Sequence, residues 1–292
     1  MKRRTVLLGS GAIAGAAWGT SGIASSLAQE KKTPDLFSRR LRGQKVEIAK
    51  AMAGSKGLSG YYVAPVRKSQ LAKFPAVVVL MEAFGLNAQI QGICDMFARY
   101  GYAAIAPDFY QGATYAYTNI AGAVEKLKTL QDDSVMREVG QTLDWLARQR
   151  EIQSDRIGTV GFCMGGRFAF LANSAHVGRI KAAVSFYGGG IADEADPIGR
   201  PALLNQVSAM RSPLLLIYGA EDELIKREEH KKITEALSTA KQRYTLTVFP
   251  EAKHGFANSE RKDAYNEAAA NEAWDMTFGF FKRYLKERKE KL

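Results

Sequence analysis

Residues Arg156-Ile157-Gly158-Thr159-Val160-Gly161-Phe162-Cys163-Met164-Gly165-Gly166 decide the fold. Arg156 to Val160 is a short β-rich run, and Gly165 to Asn173 reads as a helix. A strand that turns into a helix about Gly-x-Cys-x-Gly is a nucleophile elbow with cysteine in the place usually held by serine. The two glycines answer a steric need, because the tight turn leaves no room for Cβ atoms at Gly161 and Gly165. The bend lifts the Cys163 sulfur to a helix N-terminus, whose partial positive charge favours thiolate. It also aims the backbone N–H of Met164 at the place where an oxyanion would form. Gly-x-Cys-x-Gly alone also fits a buried structural cysteine, so partners elsewhere in the chain must decide.

Outward from this stretch, short β-rich runs alternate with longer helical ones. Val46 to Ala49 and Gly60 to Val63 read as an opening hairpin pair. Phe74 to Met81 contains Val77-Val78-Val79-Leu80, the continuous apolar run of a strand buried on both faces. Helical spacing follows from about Asn87 to Tyr100, with Ile90, Ile93, Cys94 and Phe97 on one face. Cys94 is therefore expected to be a small core residue. Tyr102 to Ala106 is a strand, 111–131 an excursion of mixed character, and Asp132 to Arg150 a helix. Strands Ala182–Phe186, Pro213–Tyr218 and Tyr244–Phe249 follow, with helices at about 226–239 and 260–286. Such alternation implies right-handed crossovers and a mostly parallel, helix-covered sheet. Ligands then sit beyond the carboxyl ends of the strands.

Two partners for Cys163 fall at such ends. The chain has three histidines. His176 and His230 lie in polar surroundings and read as surface residues, whereas His254 follows the last strand. The acid is expected after the preceding strand, where Gly219 leads into Ala220-Glu221-Asp222-Glu223. Asp222 is best placed to reach back to the imidazole, with Glu221 and Glu223 as rivals. The order nucleophile, acid, histidine is the one this elbow requires. No two histidines stand at metal-ligand spacing, so neither metal nor other cofactor is expected.

The ends of the chain carry different information. Lys2-Arg3-Arg4, a weakly apolar stretch from Val6 to Trp18, and Ser26 and Ala28 at a small-residue cleavage site read as an export signal over 1–28. The paired arginines before Thr5-Val6-Leu7-Leu8 match the twin-arginine type, which places the mature protein in the periplasm or otherwise outside the cytoplasm. The stretch is shorter than the roughly 20 residues of a membrane helix, and no later segment is apolar enough to span a bilayer. Gly9-Ser10-Gly11 resembles a dinucleotide loop, but no strand precedes it. Residues 29–44 read as a polar arm, and 45–292 as one domain with a basic C-terminal tail. The formal charge is +11, with 46% hydrophobic and 24% charged residues, values of an ordinary globular protein. Basic residues cluster at both ends without interleaved aromatics, which argues for solvated tails and against a nucleic-acid partner.

The chain resembles the dienelactone hydrolase family over roughly residues 45–285. The carriers are Met81-Glu82-Ala83-Phe84-Gly85-Leu86-Asn87, Gly101-Tyr102-Ala103-Ala104-Ile105-Ala106-Pro107-Asp108-Phe109-Tyr110, Gly161 to Gly166, Gly219 to Asp222, and His254-Gly255-Phe256. The resemblance implies an α/β-hydrolase fold of about eight strands with helices on both faces. It implies hydrolysis of a small ester or lactone through an acyl-enzyme on Cys163. It also gives Glu82 the task of helping to ionise the thiol, and the N–H of Ala83 that of second oxyanion donor. Phe84, Tyr110 and Tyr187 are expected pocket walls. Two arginines that grip a substrate carboxylate in the family are missing, since Gln111-Gly112 and Asn258 stand at those positions; Arg167 is one candidate to compensate. The rival readings are a general carboxylesterase for uncharged esters and a non-catalytic periplasmic binder or thiol sensor.

Overall fold

The computed structural model describes residues 43–51, 57–66, 69, 71–192 and 198–287. The expected export signal (1–28), the arm as far as residue 42 and the tail from residue 288 lie outside the described residues.

Among the described residues eight strands form one sheet: β1 (Gln44–Ala49), β2 (Leu58–Val63), β3 (Phe74–Leu80), β4 (Ala103–Pro107), β5 (Ile152–Phe162), β6 (Ile180–Phe186), β7 (Leu214–Gly219) and β8 (Tyr244–Phe249). Their spatial order is β1-β2-β4-β3-β5-β6-β7-β8. β2 pairs antiparallel with β1 and with β4, and every other pairing is parallel. Both faces of the central strands are covered, because every residue from Ala76 to Leu80 and from Leu214 to Gly219 is buried. The apolar run recognised in the sequence is thus the middle of the sheet.

The described residues form six α-helices that cover the sheet: α1 (Ala88–Arg99), α2 (Ile120–Lys128), α3 (Asp132–Arg148), α4 (Met164–Ala175), α5 (Arg227–Thr239) and α6 (Glu267–Phe281). α1 begins where Asn87 accepts a hydrogen bond from the Ile90 N–H (3.2 Å), a standard N-cap. Its buried face is Ile90, Ile93, Cys94, Phe97 and Ala98. Cys94 is a free thiol in the core, as expected. Among the described residues no helix is long and apolar enough to cross a membrane.

Three expectations need correction. The last helix does not start at 260: Asn266 caps it by accepting from the Ala269 N–H (3.1 Å), so 260–266 is irregular, and a π-helical turn closes it at Lys282–Lys286. His230 is not a surface residue. It lies on the inner face of α5, 8% exposed, with its ring 4.2 Å from that of Tyr218 on β7. His176 is half-buried, with Nε2 2.9 Å from the Met136 carbonyl. Local polarity misled in both cases, because burial was set by the strand or helix lying opposite.

Candidate active site

Four strand ends bring the site together. Glu82 follows β3, Cys163 follows β5, Asp222 follows β7 and His254 follows β8. The elbow has the shape its glycines imply. A Cβ on Gly161 would lie 1.8 Å from the Gly165 carbonyl oxygen, and one on Gly165 would lie 2.2 Å from that of Leu80. Cys163 itself adopts φ 54°, ψ −118°, a conformation that costs about 1–3 kcal/mol and persists only where its surroundings enforce it. The enforcement is visible: its N–H donates to the Phe186 carbonyl (3.0 Å), and its own carbonyl accepts from Gly166 (2.9 Å). Met164 opens α4, so its N–H has no carbonyl one turn back. Ala83 sits in the turn closed by the Gly85 N–H donating to the Glu82 carbonyl (3.2 Å).

Asp222, not Glu221 or Glu223, meets the imidazole. Its Oδ2 lies 2.8 Å from His254 Nδ1, while its Oδ1 accepts from the N–H groups of Leu224 (2.9 Å) and Ile225 (3.0 Å). Both glutamates are exposed. The loops after β7 and β8 are stitched together: Glu221 N–H donates to the Ala252 carbonyl (3.0 Å), which lies only 2.1 Å from where a Gly219 Cβ would be.

The His254 side chain is 13% exposed. Its Nε2 is buried with no hydrogen-bond partner among the described residues, and Cys163 and Asp222 are the groups that act on the ring. Burial opposes the imidazolium, but the Cys163 sulfur and the Asp222 carboxylate outweigh it and push the histidine up to about 10. A histidine so placed is held ready to carry a proton.

Glu82 is 4% exposed. Burial raises its proton affinity above the ordinary carboxylate range, partly offset by His254, Arg261 and Asn258. Asn258, 1% exposed, donates through Nδ2 to Glu82 Oε2 (3.1 Å) and to the Tyr117 hydroxyl (2.9 Å). Asn87 Nδ2 donates to the same hydroxyl (3.0 Å). Where the family carries a guanidinium, this chain therefore has an amide committed to the site's own glutamate. Arg167 does not compensate. It is fully buried in an ion pair with Asp132 and donates to the carbonyls of Gly190 and Pro201.

The expected walls are buried. Phe84 packs edge-on against Tyr117, with centroids 4.6 Å apart, and the Tyr110 hydroxyl lies 3.8 Å from Met164 Sδ. Tyr187, at φ 38°, sets its ring 5.2 Å from His254. Its burial, with Glu82 and Cys163 beside it, holds the phenol well above its usual range. Tyr117 and Arg261 carry no sequence signal, and Asn87 has one only as the end of the Met81–Asn87 stretch. Arg261 Nη1 donates to the His254 carbonyl (3.5 Å), and its Nη2 lies 2.9 Å from Asp263.

A mostly parallel eight-stranded sheet with nucleophile elbow, acid and histidine at successive strand ends defines an α/β-hydrolase. Residues 58–285 match the model of the dienelactone hydrolase family. The chain is 33% identical over 215 residues to a "Putative carboxymethylenebutenolidase" of Yersinia pestis, covering 72% of this chain and 79% of the other. It is 30% identical over 237 residues to one from a Synechocystis species, covering 78% and 93%. The crystal structure of a "Putative Dienelactone Hydrolase" from Klebsiella pneumoniae superposes with a TM-score of 0.74 at 27% identity, covering 83% of this chain and 98% of that one. The chain belongs to the dienelactone hydrolase family and is a hydrolase.

Proposed function

We propose that the protein hydrolyses a small carboxylic ester or lactone through a thioester on Cys163. The observation that carries this reading is the array at the strand ends: Asp222 bonded to His254 Nδ1, with Cys163 on the strained elbow acting on the same ring. The thiolate attacks the carbonyl carbon, and the N–H groups of Met164 and Ala83 receive the developing oxyanion, each donor worth about 3 kcal/mol in such sites. His254 gives its proton to the departing alkoxide, then takes one from the water that cleaves the thioester. Glu82, buried and raised in proton affinity, is suited to accept the thiol proton when substrate enters. The twin-arginine pattern at 1–28 supports export of the protein.

Mass spectrometry of the intact protein during turnover of an aryl ester tests the chemistry. Wild type should gain the acyl mass, located after digestion to the peptide containing Cys163, and Cys163→Ala should gain none and lose turnover. Turnover undiminished in Cys163→Ala would sink the proposal.

A further inference from the structure

The chemistry at Cys163 leaves the chain's positive charge unused. Six of the chain's 41 basic residues gather at the opposite edge of the sheet, where β5 to β8 begin. A half-open cavity of about 780 Å³ lies there, bounded by Arg156, Lys181, the loops 210–213 and 240–243, and Tyr284. A second hollow of about 310 Å³ shares Pro213, Arg243 and Tyr284 with it and adds Arg283, so the two form one groove.

Six cations line the groove: Arg156, Lys181, Arg211, Lys241, Arg243 and Arg283. Its acids are Asp155 and Glu287, yet none of the six cations forms an ion pair among the described residues. Three are held by neutral carbonyls. Arg156 donates to Leu285 (3.3 Å) and Lys286 (3.0 Å), Arg211 to Ser208 (2.8 Å) and Met210 (2.6 Å), and Lys181 to Gly178. Such bonds orient a charged head without neutralising it. Cations at this edge also offset the negative ends of α4 and α5. Lys241, just past the end of α5, is placed for that role, whereas the carbonyls that hold Arg156, Arg211 and Lys181 lie outside both helices; Lys241 and Arg243 are exposed and form no ion pair among the described residues.

We infer that this groove binds a soluble, multiply charged phosphate compound with a small apolar part. Guanidinium groups meet phosphate oxygens at two points, and several arginines around one hollow fit more than one phosphate. Pro213, Ala240 and Tyr284, each half-buried, supply the apolar surface. The volume is that of a small-molecule site, and a concave wall admits a compact ligand where a flat bilayer cannot follow.

Calorimetric titration of the purified protein with ATP and with tripolyphosphate at about 0.15 M salt tests this. Both should bind more tightly than sulfate at equal ionic strength. Lys241→Ala/Arg243→Ala should weaken them about tenfold or more, the value of one ordinary charge-assisted contact, with thermal midpoint and aryl-ester turnover unchanged. Arg283→Ala, a separate variant on the other wall, should weaken them in the same direction. Binding no tighter than sulfate, or binding equal in wild type and both variants, overturns the inference. So does capture by phosphatidylglycerol vesicles without measurable affinity for either free phosphate.

Discussion

Replacing Asp222 by asparagine isolates the part of the site that does chemistry from the part that holds shape. The Oδ1 atom accepts from the Leu224 and Ile225 N–H groups, and the amide oxygen of asparagine can keep both bonds. The other oxygen, 2.8 Å from His254 Nδ1, becomes an NH₂ group. It then faces a nitrogen that must itself donate, which forces the wrong tautomer and withdraws the charge that supports the imidazolium. A charge-assisted hydrogen bond of this kind is worth about 1.5–3 kcal/mol to stability. The catalytic loss is larger, about three to four orders of magnitude in kcat, because tautomer and charge fail together. Asp222→Ala should lose as much activity and additionally release the 222–225 turn, at a further cost of about 1 kcal/mol per backbone bond. Steady-state hydrolysis of an aryl ester, with urea unfolding of each variant, measures both quantities. Glu221→Gln and Glu223→Gln, at exposed positions, should behave as wild type. An Asp222→Asn enzyme within tenfold of wild type would refute the assignment, as would a comparable loss in either glutamine variant.

Other consequences follow from the same geometry. Gly161→Ala places a methyl 1.8 Å from the Gly165 carbonyl oxygen, so the elbow must open; a stability loss above about 3 kcal/mol by urea unfolding is expected, and a loss under 1 kcal/mol would contradict the packing. His254 is raised to about 10, so the stability its charge contributes is fully present below about 6.5 and is lost as pH rises through about 10. By NMR its ring should remain charged at pH 8 in wild type and titrate lower in Cys163→Ala; equal titration in both would show that the sulfur does not act on it. Asn258→Asp sets a second carboxylate about 3 Å from Glu82 and should depress turnover at neutral pH with recovery under mild acid, whereas Asn258→Ala should not gain activity on acidification. Arg3→Lys with Arg4→Lys should keep the protein in the cytoplasm in a fractionation assay; unaltered export would exclude the twin-arginine route.

The residues legible in sequence were those whose role depends on local chain geometry. Cys163 could be recognised because an elbow needs glycines at fixed offsets, and His254 because it follows the last strand in the required order. Glu82 and Ala83 came from resemblance, since a single carboxylate after a strand has no pattern of its own. Asn258 showed in sequence only as a missing arginine; its bonds to Glu82 and Tyr117 join residues 176 and 141 positions apart, and no periodicity reports such contacts. His230 was misread because a charged stretch hides which face of α5 packs on Tyr218.

By itself the sequence determined the alternation of strands and helices, the covered central sheet and the order of the reactive groups, because hydrophobic periodicity and turn sterics act over a few residues. Tertiary structure alone decided that Asp222 rather than its neighbours meets His254, that Arg167 is withdrawn into an ion pair, and that cations from five separated segments line one groove. Each of those outcomes depends on which loops the strand order sets side by side, and that order, β4 next to β2 and β3 next to β5, is a property of the assembled sheet.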